Sequence, residues 1–107
     1  MRKAEVFCNG KQAGMLIEEK GGYVFLYDDA WFNNANLPAI SLTLPKTKKE
    51  YKSKFLFPFF FNMLPEGSNK DIACRLLRID LDDYFGLLMN VAQVDTIGAV
   101  TVKKIAT

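Results

Sequence analysis

AEVFCNGKQAGMLIEEKGGYVFLY, residues 4–27, decides how this chain folds. Asn9-Gly10 separates two runs rich in apolar residues. That pair tolerates positive φ at both central positions of a tight turn, which makes it the strongest short-range hairpin signal. Lys20-Gly21-Gly22 marks a second turn, and Tyr23-Val24-Phe25-Leu26-Tyr27 follows as a β-prone run, apolar on both faces. Three strands in a meander are expected, with the centre of the sheet covered on at least one side.

Downstream, residues 28–38 read as irregular: Asp28, Asp29, Trp31 and Phe32 precede Asn33, Asn34, Asn36 and Pro38. Ile40-Ser41-Leu42-Thr43-Leu44 alternates with period two, which predicts a short half-buried strand ended by Pro45. Residues 45–54, PKTKKEYKSK, carry five lysines against one glutamate. They read as a solvated loop, with a phosphate-binding patch as the alternative.

The second half reads helical. Pro58 suits a first helical turn, and Pro65 with Gly67 ends that helix near Leu64. Ser68 is a candidate N-cap for the next helix, whose apolar stripe is Ile72, Ala73, Leu76 and Leu77. Asp80 or Asp82 is expected to open a third helix, with Leu81, Tyr84, Phe85, Leu88 and Met89 inward. The alternation from Ile97 to Ile105 predicts a closing strand, with Val100 and Val102 on one face. The expected fold is α+β: an antiparallel sheet, made of the N-terminal meander plus the C-terminal strand, packed with about three helices.

Composition narrows the function. The 107 residues suit a single domain, residues 1–107, and half of them are hydrophobic. A formal net charge of +2 is too small to imply a nucleic-acid or membrane partner. Cys8 and Cys74 form no C-x-x-C pair and, without a signal peptide, read as reduced thiols in a cytoplasmic protein. No apolar run approaches the roughly 20 residues of a membrane span. The chain has no histidine, which removes Ser-His-Asp and Cys-His catalysis and the common zinc sites. Asp80, Asp82 and Asp83 read as charge at a helix N-terminus. No P-loop or dinucleotide fingerprint is present, and Asp83-Tyr84-Phe85-Gly86 resembles a kinase D-F-G only superficially. No catalytic, cofactor-binding or metal residue is expected.

What remains is FLFPFFFNMLPEG, residues 55–67. On a helical wheel with Phe59 at zero, Met63 falls at about 40°, Phe60 at about 100° and Leu64 at about 140°. Those four make one inward face. Phe61 falls at about 200°, outside the stripe that a core requires. Two readings stay open for it: neighbouring loops, such as the one bearing Trp31, wrap over it, or it faces a partner.

These motifs, taken in order, resemble a known family. Asn9-Gly10-Lys11-Gln12-Ala13-Gly14, Gly22 to Tyr27, Ile40 to Pro45, Phe59 to Gly67, Tyr84 to Leu88 and Ile97 to Val100 are similar to the N-terminal subdomain of HipA-type toxin kinases. The resemblance covers essentially the whole chain and excludes the kinase body. Stand-alone copies resemble HipS, the antitoxin of three-part HipBST systems, whose kinase HipT lacks this subdomain. The resemblance implies a non-catalytic cytoplasmic module that docks on a HipT/HipA-like serine/threonine kinase and silences it. A HipB-like DNA-binding protein joins a larger complex in such systems, and no direct nucleic-acid or membrane contact is implied. Partner-binding residues are then expected at Phe61 and Trp31, with Asn62 and Glu66 beside them. A structural or activating subunit of a split kinase is the alternative, and a nucleic-acid module using the lysine run a weaker one. Ala92-Gln93-Val94-Asp95 departs from the family, which often has glycine before that aspartate.

Overall fold

A computed structural model describes residues 2–64, 67–91 and 100–105. The meander forms as expected: β1 (Arg2–Cys8), β2 (Lys11–Glu19) and β3 (Gly22–Tyr27) are consecutive antiparallel neighbours. Asn9 and Gly10 both take positive φ, 53° and 80°, the geometry whose twist matches a hairpin. Two more strands complete a five-stranded sheet in the order β4-β3-β2-β1-β5, with β4 at Glu50–Ser53 and β5 at Val100–Lys104. Val100 and Val102 are buried, as their alternation predicts. Ala92 to Asp95 and Ile97 to Ala99 lie outside the described residues.

Among the described residues four helices accompany the sheet, where about three are expected: α1 (Asp29–Asn33), α2 (Pro58–Phe61), α3 (Gly67–Leu77) and α4 (Tyr84–Val91). The short α1 replaces the start of the expected irregular stretch, because the Asp28 side chain accepts from the Ala30 amide at 3.1 Å and caps it. The core is an α+β sandwich of sheet and helices. Phe25, Tyr27, Leu16 and Val6 from one sheet face meet Phe60, Phe85 and Leu88 from α2 and α4, all fully buried.

Three expectations are corrected. Ile40–Leu44 is a turn, not a strand. The Tyr27 hydroxyl donates to the Leu44 carbonyl and accepts from the Ile40 amide, so both ends are pinned inward while Leu42 is 99% exposed between them. The fourth strand lies instead in the lysine run. An edge strand tolerates lysine on its solvent face, and residues 50–53 pair with β3 through Phe25↔Tyr51 and Val24↔Lys52. The neighbouring lysines are engaged within the chain. Lys46 donates to Asn34 O and Leu37 O, Lys49 pairs with Asp29, and Lys48 lies over the Tyr51 ring.

The third correction concerns α3. Its stripe of Ile72, Leu76 and Leu77 is exposed, and Ala73 is half-buried. Cys74 is the residue that faces the core, and Ile72 and Leu76 each sit about 160° round the wheel from it. Ser68 lies inside α3, which starts at Gly67. It ends in a Schellman-type stop: Arg78 takes a φ of 57° and the Ile79 amide donates to Cys74 O at 2.9 Å. Because the chain then turns before α4 opens at Tyr84, Leu81 is exposed rather than inward.

The lock between sheet and helices is ionic. Arg2 donates to Glu18 at 2.7 Å and to both Asp83 oxygens at 2.6 and 3.1 Å, with its guanidinium 5.3 Å from the Phe85 ring centroid. Asp83 also accepts from the Gly86 amide at 3.1 Å, which caps α4. Gly86 makes room for this arrangement: a Cβ there would lie 2.4 Å from Asp83 Oδ2. The Arg2 hydrogen bond, ahead of the Gly86 one, holds the Asp83 carboxyl below the usual range, against a smaller effect of burial. A depressed native pKa adds stability above the ordinary carboxylate range and loses it as pH falls through the lowered value. Asp83→Ala is therefore expected to cost about 1–2 kcal/mol at neutral pH, and to flatten the acid limb of a urea-unfolding series run against pH.

Candidate partner-binding face

The aromatic segment begins with Pro58 at the first turn of α2, where a missing N–H costs nothing. Amides of Phe61 and Asn62 donate back to Phe57 O and Pro58 O at 2.9 Å, and Met63 and Leu64 close tighter turns onto Phe60 and Phe61. This winding sends the side chains where the wheel predicts. Phe60 is fully buried and meets the rings of Phe25, Phe57 and Phe59 at centroid distances of 5.8, 6.4 and 5.2 Å. Met63 and Leu64 are buried and Phe59 packs partly against the core.

Phe61 points elsewhere and is 44% exposed. Its ring meets Tyr84 edge-on at 5.5 Å, and Lys70 Nζ sits 4.8 Å from the Tyr84 ring centroid. Three helices thus each contribute one side chain to a single surface: Phe61 from α2, Lys70 from α3 and Tyr84 from α4. Asn62 is exposed beside it. Glu66 lies outside the described residues. Tyr84 and Lys70 are not legible from the sequence as neighbours of Phe61, since their meeting depends on the packing of α3 and α4, which no single helix period encodes.

Trp31 does not belong to this face. It is 3% exposed, and its Nε1 donates to Pro38 O at 2.9 Å. A side chain so enclosed has no surface to offer a partner, so Trp31 is a core residue that anchors the 31–38 loop. Leu42 and Phe55 were missed as candidates: both stand in solvent, on turns flanking β4. An alternating pattern read as a strand hid Leu42, and Phe55 was hidden within the aromatic run.

Among the described residues no group of three His, Cys, Asp or Glu converges to hold a metal ion. Asp83 is committed to Arg2 and to the α4 cap. Burial pushes the Cys8 thiol upward, away from nucleophilic thiolate. The face is an aromatic-cationic surface built from Phe61, Tyr84 and Lys70.

Comparison with known proteins agrees with this architecture. The HipA N-terminal domain model matches residues 4–103. The chain belongs to the HipA N-terminal domain family. A solved N-terminal domain of HipA toxin superposes with a TM-score of 0.74 at 28% identity, covering all of this chain and 95% of that one. An uncharacterized protein of Haemophilus influenzae is 32% identical over 104 residues, 97% of this chain and 93% of its own length. A putative kinase of Sinorhizobium fredii, Y4mE, is 28% identical over 89 residues, which is 82% of this chain and 21% of the kinase. The HipA N-terminal domain thus makes up about a fifth of one relative and nearly all of another. Among the described residues, no helix is long and apolar enough to cross a membrane.

Proposed function

We propose that this HipA N-terminal domain is a non-catalytic, antitoxin-like module that binds a HipT/HipA-like serine/threonine kinase and inhibits it. The observation that carries the reading is the pair of relatives: the same domain occurs as 21% of a putative kinase and as 93% of a small protein. A domain found both inside a putative kinase and as most of a small protein is suited to docking on a kinase that lacks it.

Phe61 is the anchor, with Asn62 beside it and Tyr84 and Lys70 as its support. Association of separate chains costs several kcal/mol in lost translational and rotational freedom, and a large exposed aromatic on a rigid base offsets that cost. Inhibition then follows from occlusion of substrate or from holding the kinase lobe in an inactive arrangement.

Titration calorimetry against a HipA-like kinase that lacks this domain tests the anchor. Phe61→Asp weakens the complex by about 2 kcal/mol, with an unchanged circular dichroism spectrum. Normal binding by that variant removes Phe61 from the interface. Growth arrest by the kinase is relieved on co-expression of the unmodified chain; deeper arrest favours the activating-subunit reading instead.

A further inference from the structure

The face of the sheet away from the helices has its own pattern. Among the described residues, helix rings touch the sheet on one side: Phe85 on Tyr23, Phe60 on Phe25 and Phe32 on Tyr27. On the other side Met15 pairs with Leu26 and Ile17 with Val24 across β2 and β3. These four form an apolar block, two residues by two, at the centre of the sheet. Val24 is only 6% exposed, while Met15, Ile17 and Leu26 keep part of their surface in solvent.

Charges flank the block in strict order. On β1, Glu5 stands opposite Met15 and Lys3 opposite Ile17. On β4, Glu50 stands opposite Leu26 and Lys52 opposite Val24. One row across the sheet therefore reads Glu50-Leu26-Met15-Glu5, and the adjacent row reads Lys52-Val24-Ile17-Lys3. Glutamates flank the apolar pair in one row and lysines flank it in the other, with Lys103 on β5 beyond Glu5.

We infer that this face is the contact surface for a second copy of the chain. A two-fold axis in the plane between the sheets, running across the strands midway between the two rows, lays each row over the other. Glu5 then faces Lys3 of the second copy and Glu50 faces Lys52 of the second copy, each twice by symmetry. Met15 covers Ile17, and Leu26 covers Val24. The strands of the two sheets run aligned, as in packed β-sandwiches. An axis along the strands instead sets Glu5 over Glu50 and Lys3 over Lys52, which like charge disfavours. The pattern thus selects one of the two face-to-face arrangements.

Both acids already have a lysine neighbour within the chain: Lys103 is opposite Glu5 on β5, and Lys52 Nζ is 4.0 Å from Glu50. The second copy adds an opposite charge to each and covers the surface that Met15, Ile17 and Leu26 keep in solvent. The surface lies on the far side of the sheet from Phe61, so a dimer leaves both Phe61 faces open and does not depend on the kinase-binding proposal.

Sedimentation velocity on charge-swapped pairs tests the register. The unmodified chain is expected to form a dimer whose association weakens as salt is raised. Lys3→Glu/Lys52→Glu makes both rows acidic and Glu5→Lys/Glu50→Lys makes both basic. Each alone is expected to sediment as a monomer, and their mixture as a dimer. A monomeric unmodified chain at every soluble concentration overturns the inference, as does dimerisation that the swaps leave intact. A mixture that stays monomeric overturns the proposed axis. Should either swap fail to fold, salt-independent association of the unmodified chain has the same force against the ionic register.

Discussion

Phe60→Ala lowers the unfolding free energy by about 3–5 kcal/mol, while Phe61→Ala, one residue on, costs less than about 1 kcal/mol. Phe60 is fully buried among three other phenylalanine rings. Removing it forfeits both the transfer free energy of the ring and the contacts lining the cavity it leaves. A domain of this size has a total stability of about 5–15 kcal/mol, so the change takes a large share of it. Phe61 keeps nearly half its surface in water and meets the Tyr84 ring edge-on. Urea unfolding of the two variants, compared at constant slope, measures the difference. Equal losses would mean that Phe61 belongs to the core.

Gly14→Ala is expected to cost about 3 kcal/mol, near the upper end for overpacking. Gly14 lies on β2 opposite Tyr27 and Val6, on the core face of the sheet. A Cβ there would meet Leu26 O at 2.5 Å and the Phe25 ring at 2.8 and 3.0 Å. The carbonyl cannot swing aside without disturbing the β2–β3 ladder, and the Phe25 ring is fully enclosed. Strand separation is the remaining response. Thermal unfolding measures the loss, and a variant as stable as the unmodified chain would show that β3 yields at this point.

Much of this molecule can be read along the chain where one local rule governs. Asn9-Gly10 sets the first hairpin because its backbone preference is a property of two residues. Pro58 and the wheel separated Phe60 from Phe61 because one short helix obeys one period. Failures came where tertiary contact chose between local options. The Ile40–Leu44 alternation lost to the Tyr27 hydroxyl, which lies 13 residues before Ile40 and holds both ends of that segment. β4 was disguised because an edge strand needs few apolar residues. For α3 the periodic stripe was real but faces outward, since a wheel gives the direction of an apolar ridge and not what lies opposite it. Trp31 looked like an anchor by residue type, yet Pro38 O and the core enclose it.

The candidate face was legible in one residue of three. Phe61 stood out as surplus to the core, whereas Tyr84 and Lys70 reach it through helices whose mutual placement no sequence motif announces. The far face of the sheet was foreshadowed by a β3 run apolar on both sides, and its charge order appeared only once the register was known.

The most direct test of the central claim is autophosphorylation of a HipA-like kinase that lacks this domain, measured with this chain at saturating concentration and again with Phe61→Asp. The account predicts that the unmodified chain suppresses phosphate incorporation and that Phe61→Asp restores it at equal concentration. Unchanged or increased autophosphorylation in a complex shown to be saturated would contradict it.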